Sequence, residues 1–418
     1  GESWPIGHED LDPHYGALER LFEVRGNTDG LQHLPDGLLA PPLPLLPEEE
    51  RFRTALLRHR DVPFIHSRGF AAHAAGSQSS WPKSSSNGST LRRAMATGRV
   101  EMLSGFMAVN LVLHPGQDKA RAVVVVNRSS GEQRLLEADL IVLCASTIAS
   151  LRLLLQSEQK QDSRGFHDPS CLLGQGLMDH VSCCRFFSVP SLTGRKPMQV
   201  HDPSSLLSGA GSFFLPFGND PAYCKGRSFL RGYGLWGAIN RFDPPWWLKR
   251  HPDQRLGFLI GHGEVLASET NRVTLSDRCD QFGVPMPMIS CRWGDNEKAM
   301  VTHMQGTIED CIGVAGGTPA SLPDLIHLPF VEPLIRGAIA VQEDSPPPGY
   351  YIHEVGGAPM GHSEQTSVVD AYNRLWRCRN VLVVDGACWP SSGWQSPTLT
   401  MMAITRRACL DALKPACG

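Results

Sequence analysis

Two short apolar runs, each closed by a small-residue turn, constrain this chain more than any other feature. Leu140 to Cys144 is unbroken hydrophobic sequence that ends at Ala145 and Ser146. A helical pattern follows over 147–156, with Ile148, Leu151, Leu154 and Leu155 on one side. Val381 to Val384 repeats the arrangement, ends at Asp385 and Gly386, and leads through a loop to a second helical pattern. A strand without polar alternation must be covered on both faces, which is the situation of a parallel strand in an α/β sheet. The turn at the carboxyl end of such a strand is where these sheets take ligands, because small residues let a ligand approach the backbone. A bare strand–turn–helix is common, so neither unit names a ligand by itself.

Between these units the sequence changes character. Asp10 to Phe22 reads as a capped amphipathic helix, 40–48 as an extended Pro-rich connection and 75–90 as a Ser/Gly-rich loop. A short helix at "TLRRAMATG" precedes a strand-rich stretch, in which "RAVVVVN" and "QRLLEAD" flank a turn as a hairpin does. Residues 181–350 are aromatic and loop-rich, with a strand at "NRVTLS". A helix begins near Asp295, a candidate N-cap, and stops at Gly316-Gly317. The expected division is 1–94 connecting helices and loops, 95–180 part of a nucleotide-binding domain, 181–350 a substrate domain, and 351–418 the completion of the first domain.

Composition excludes several partners. A net charge of −3 over 418 residues carries no nucleic-acid footprint. No apolar run reaches the length of a membrane span, so none is expected. The twelve cysteines include no C-x-x-C, which reads as reduced thiols in a cytoplasmic protein. The first residues carry neither an initiator Met nor a signal-peptide core, and read as the middle of a protein.

His353, in "GYYIHEVGGAPMG", is the leading candidate for a base, against the plainer reading of a satisfied core histidine. No histidine or cysteine spacing suits zinc, so no metal is expected. G-x-S-x-G and Walker A are absent, and "SGAGSFF" lacks the later glycine and the helix of a dinucleotide fingerprint. Ser396 before Pro397 reads as an N-cap with proline at the first helical position. The free N–H groups of that helix end would suit an anion, and Asp385-Gly386-Ala387 offers a second such place.

Several segments, in order, resemble the glucose–methanol–choline (GMC) oxidoreductases, in the branch of pyranose oxidase and bacterial sugar-alcohol dehydrogenases. They are "WPIGHEDLDPHYGALERLFEV", "ADLIVLCASTIASLRLLLQS", "LLGQGLMDH", "NRVTLSDRCDQFGVPMPMISCRWGDNEKAM", "HEVGGAPMG" and "VLVVDGACWPSSGWQSPTLTMMAITRRA". The resemblance implies an α/β fold, with an incomplete FAD-binding Rossmann-like domain and an α+β substrate domain carrying an antiparallel sheet. It implies FAD, contacted by Ala108, Ala145, Ser146, Arg152, Asp385, Gly386, Ala387, Pro397, Thr398 and Leu399. The implied reaction takes a small alcohol, with sugars and polyols among the candidates, to its carbonyl compound. His353 removes the hydroxyl proton, hydride passes to the flavin, and Trp246, Trp247 and Trp394 wall the substrate. The electron acceptor is left open.

The sequence departs from that pattern twice. The family's second site residue is His or Asn, and here Ser396 stands in its place, with Gln395 beside it as a substitute. The family's opening G-x-G-x-x-G strand turn is not in this sequence, which therefore reads as a fragment, expected to hold little flavin alone. Two other readings stay open: a non-redox lyase on the same fold, and an inactive flavin-binding fragment.

Overall fold

A computed structural model describes residues 3–60, 62–69, 84–160, 166–192, 213–216, 226–241, 253–320 and 345–414. Trp246 and Trp247 lie outside them. The helices are α1 (His8–Phe22), α2 (Pro47–Arg60), α3 (Thr90–Met95), α4 (Thr147–Lys160), α5 (Asp295–Val314) and α6 (Thr398–Ala412). The strands are β1 (Ile65–His66), β2 (Phe106–Leu113), β3 (Ala120–Asn127), β4 (Gln133–Glu137), β5 (Ile141–Leu143), β6 (Val181–Pro190) and β7 (Phe213–Leu215). They continue with β8 (Tyr233–Ile239), β9 (Gln254–Gly263), β10 (Arg272–Cys279), β11 (Pro285–Ser290), β12 (Thr318–Ala320) and β13 (Val381–Val383).

The two apolar runs meet. β13 pairs in parallel with β5, Val381 opposite Ile141 and Val383 opposite Leu143. Each run leads onward into a helix, α4 after β5 and α6 after β13. The strand-rich stretch is a three-stranded antiparallel sheet in the order β2-β3-β4. α4 packs against β2, and Ser157 Oγ takes the Leu111 N–H at 3.0 Å.

The span after 180 builds a six-stranded sheet in the order β1-β7-β8-β9-β6-β12, with every pairing antiparallel. α5 lies on β6 and β9 through Met300, Met304 and Ile308, all buried. Gly261 and Gly263 make that approach possible, since Met304 and Met300 fill the space their side chains would need.

Two helix starts differ from expectation. Gly294, not Asp295, caps α5, and Glu297 reaches back to accept the Gly294 N–H at 2.9 Å. That carboxylate satisfies the helix end from the third position, which leaves Asp295 free to pair with Lys298 in solvent. α6 starts at Thr398 with Pro397 before it and no side-chain cap, so Ser396 is not the cap. The Pro397 carbonyl accepts the Met401 N–H, while Ser396 is exposed. Accordingly, Ser396→Ala should change stability by less than about 0.5 kcal/mol, the range of an exposed residue outside any special contact. A lost cap would cost about 1 kcal/mol. Thermal denaturation of the pair separates the two.

Candidate active site

His353 is placed by strand register. Met178 and Val355 exchange both backbone hydrogen bonds, at 2.8 and 2.9 Å, in an antiparallel bridge. Counting two residues out along each chain sets His180 opposite His353 on one face. The ring centroids are 5.0 Å apart and nearly perpendicular. β6 begins just after His180, and its pairing with β9 sets Ser182 opposite His262. The His180 and His262 rings therefore stack, with centroids 5.1 Å apart and planes 2° from parallel.

Asp179 holds this group together. Its carboxylate accepts N–H bonds from His180 at 2.7 Å, Gly349 at 2.9 Å and His353 at 3.3 Å. One buried side chain thus ties the loop that carries His353 to the start of β6. The residue before the histidine, Ile352, takes φ 49°, a left-handed conformation that strains a β-branched residue.

Among the described residues several ring nitrogens of the trio are buried without a hydrogen-bond partner: both of His180, Nε2 of His262 and Nδ1 of His353. Burial lowers the pKa of all three. His180 is driven well below the ordinary histidine value by burial and by its two neighbours. Burial and then His353 bring His262 to about 4. At His353 burial is opposed by the Asp179 carboxylate, which favours the protonated ring. All three shifts favour neutral rings, and His353 is the member whose shift a neighbouring carboxylate opposes.

The ends of β5 and β13 form a second locus. Asp385 lies across both turns: its Oδ2 accepts the Ser150 hydroxyl at 2.5 Å and its Oδ1 the Ala387 N–H at 3.1 Å. Ala145 and Ser146 are exposed beside it, and Ser146 has φ 81°. Gly386 has no room for a side chain because Thr147 Oγ1 and the Glu354 carbonyl occupy the space. That contact also joins this locus to the His353 loop. Arg152 lies apart from these turns, with its guanidinium 3.4 Å from the carbonyl of Ala108 on β2.

The third locus is a cavity of about 470 Å³ between α1, the 33–39 loop and the 389–400 segment. Gln395, Ser396, Pro397, Leu399 and Thr400 line it, so the first turn of α6 opens onto it. Trp4, Trp389 and Trp394 form aromatic walls; the first two meet edge to face at 5.3 Å. His353 does not line this cavity, and no contact among the described residues joins it to Ser396 or Gln395. The sequence reading also missed His8, Asp12, Tyr15 and Glu19 of α1, which line the same cavity. Their spacing of four, three and four residues puts them on one helical face, a polar stripe beside the buried Leu11, Leu18 and Phe22.

Among the described residues no cluster of three or more His, Cys, Asp or Glu side chains could hold a metal, and no helix is long and apolar enough to cross a membrane. Two family models match the chain: GMC oxidoreductase, N-terminal, over residues 54–182, and GMC oxidoreductase, C-terminal, over 267–405. The chain is 25% identical to 2-methyl-1,2-propanediol dehydrogenase of Mycolicibacterium austroafricanum, over 97% of this chain and 73% of that protein. It is 27% identical to paromamine 6'-oxidase of Streptomyces fradiae, over 97% and 71%. The crystal structure of pyridoxine 4-oxidase from Mesorbium loti superposes with a TM-score of 0.61 at 19% identity, over 98% of this chain and 78% of that one. The parallel pair with its turns, the separate antiparallel sheet and the two matched models agree: the chain belongs to the GMC oxidoreductase family and is an oxidoreductase of alcohols.

Proposed function

We propose that this protein oxidises an alcohol to its carbonyl compound with FAD, and that His353 is the general base. The observation that carries this reading is the His353 ring: half-buried, lowered in pKa by that burial, with Nδ1 unpartnered among the described residues, on a loop clamped by Asp179. A general base must be unprotonated and oriented before substrate arrives; the burial of the ring favours the first and the Asp179 clamp the second.

The residues present fit a flavin in two respects. The carboxyl ends of adjacent parallel strands leave Ala145 and Ser146 accessible next to Asp385, Gly386 and Ala387. The first turn of α6 supplies the N–H groups of Thr398 and Leu399, with Pro397 packed before them, and a positive dipole end beside an aromatic cavity. These residues would hold the cofactor, which supplies a two-electron acceptor when bound. The protein's part is to remove the hydroxyl proton at His353 and to meet negative charge with the α6 amides. Trp389 and Trp394, which are 6% and 4% exposed, wall the cavity at that helix end. Relatives named for a diol, for paromamine and for fructose support a polyhydroxylated substrate. Anaerobic mixing of the FAD-loaded protein with a panel of primary and secondary alcohols tests the reading. Flavin bleaching matched by carbonyl formation supports it, and a flavin that stays oxidised with every alcohol refutes it.

Asp179 gives a further expectation. The carboxylate raises the His353 pKa, so its removal lowers it. Activity that needs neutral His353 declines as pH falls through that pKa, so in Asp179→Asn the decline moves to lower pH. The plateau rate should also drop, on the order of 10- to 100-fold, because the loop loses its clamp and the ring its position. A pH profile of kcat/KM separates the two effects.

A further inference from the structure

A neutral imidazole carries one hydrogen and one lone pair, on different nitrogens, and only the lone pair takes a proton. Of the two His353 nitrogens, Nδ1 alone is buried without a partner among the described residues, so Nε2 is the one that a substrate can reach. Nε2 accepts a proton only if the ring hydrogen already sits on Nδ1, and a buried Nδ1–H needs an acceptor. In a Ser-His-Asp triad a carboxylate fills that place. Asp179 does not fill it here, since it binds the backbone N–H of His353. The ring that faces His353 is His180, which is 4% exposed, with centroids 5.0 Å apart and planes 84° apart. Two imidazoles joined by one N–H···N bond have centroids about 5 Å apart, so a small rotation of either ring makes the bond. The backbone keeps the two rings together: Asp179 Oδ1 accepts the N–H of both residues, at 2.7 Å from His180 and 3.3 Å from His353. His262 lies flat against His180, and Tyr351 closes on His262 with centroids 4.7 Å apart. This packing leaves the His180 ring little room to swing away.

We propose that His180 is a positioning residue for the base: it accepts the Nδ1–H of His353 and so holds the Nε2 lone pair toward the alcohol. This rests on the reading of His353 as the base, and adds the residue that sets its tautomer. The direction of the bond is fixed from the far side of His180. The Gly263 carbonyl, at the end of β9, favours a proton on the His180 ring, which leaves the other His180 nitrogen as an acceptor. Burial disfavours a second proton on His180, which would turn the acceptor into a donor. When His353 takes the hydroxyl proton at Nε2, its ring becomes an imidazolium, and a hydrogen bond to that charged form favours it.

The test is the tautomer itself, read by nitrogen-15 magnetic resonance of the FAD-loaded protein with labelled histidine, at about pH 8, above the ordinary histidine pKa. The His353 signals are identified by their loss in His353→Gln. In the parent protein the hydrogen should sit on Nδ1. His180→Phe keeps a flat ring and removes the acceptor. It should shift His353 toward the Nε2–H form and lower kcat for alcohol oxidation about 10- to 100-fold, with KM little changed. His180→Asn and His180→Gln place a carbonyl oxygen near the positions of Nδ1 and Nε2, and at least one of them should recover most of the loss. A hydrogen on Nε2 in the parent protein overturns the proposal whatever the variants do. So does a Phe variant with unchanged tautomer and rate, or a loss that Asn and Gln share in full. An Nε2–H ring in a protein whose flavin alcohols reduce would overturn this inference and leave the oxidation standing. An Nδ1–H ring that shifts in the Phe variant, in a protein whose flavin no alcohol reduces, would do the reverse.

Discussion

His353→Ala is expected to slow alcohol-driven flavin reduction by about 10²- to 10⁴-fold, the usual contribution of a positioned base. The expectation follows from where the proton can go. Each neighbour in the trio is held below His353 in basicity: His180 by burial and two imidazoles, His262 by burial and the His353 charge. Neither therefore substitutes as the acceptor when the His353 ring is gone. Flavin content should stay level, because the turns at Ala145, Ser146 and Asp385 are separate from the ring. Stopped-flow bleaching reads the rate and the visible spectrum reads the content. A rate within a few-fold of the parent protein would make His353 a packing residue and overturn its assignment as base. Free imidazole restoring part of the rate in the alanine variant would identify the missing group as a base rather than a spacer.

The parallel pair was legible because its chemistry is local. Val381, Leu382 and Val383 are fully buried, and an uninterrupted apolar run permits nothing else. The six-stranded sheet was not, since its strands break the alternation that marks a half-buried strand. β8 is "YGLWGAI", buried along most of its length, with glycines where other side chains insert. Trp394 occupies the side-chain space of Gly234, a contact across 160 residues that no window of sequence contains. α2 was missed for a related reason. Its sequence "PEEERFRTALLRHR" has few apolar residues, and two of the residues it buries are Glu48 and Glu49. His180 and His262 meet His353 only through two strand registers, so only the "HEVGG" member stood out. The α1 stripe was readable in principle: His8, Asp12, Tyr15 and Glu19 recur at helical spacing beside an apolar face. A polar stripe on a helix ordinarily faces solvent, and nothing in the spacing says that this one faces a cavity.

The glutamate that hid α2 carries the second large effect. Glu49 is fully buried and Arg241 is 5% exposed. The guanidinium grips the carboxylate at both oxygens, 2.8 Å from Nε to Oε1 and 2.6 Å for the second bond. Glu49 also accepts the N–H groups of Leu46 at 2.9 Å and Ile239 at 3.2 Å, and Arg241 donates to the Pro44 carbonyl at 3.0 Å. The pair thus pins α2 and the chain leading into it to the end of β8. Glu49→Leu should destabilise the protein by about 3–5 kcal/mol, because it strands a buried guanidinium. The pair itself is worth far less than this loss, since its desolvation offsets most of its attraction. Adding Arg241→Met to Glu49→Leu should therefore recover most of the stability. Chemical denaturation of the two single variants and the double variant closes the cycle. Additive losses in the double variant would mean that the two residues act separately, against the bidentate geometry.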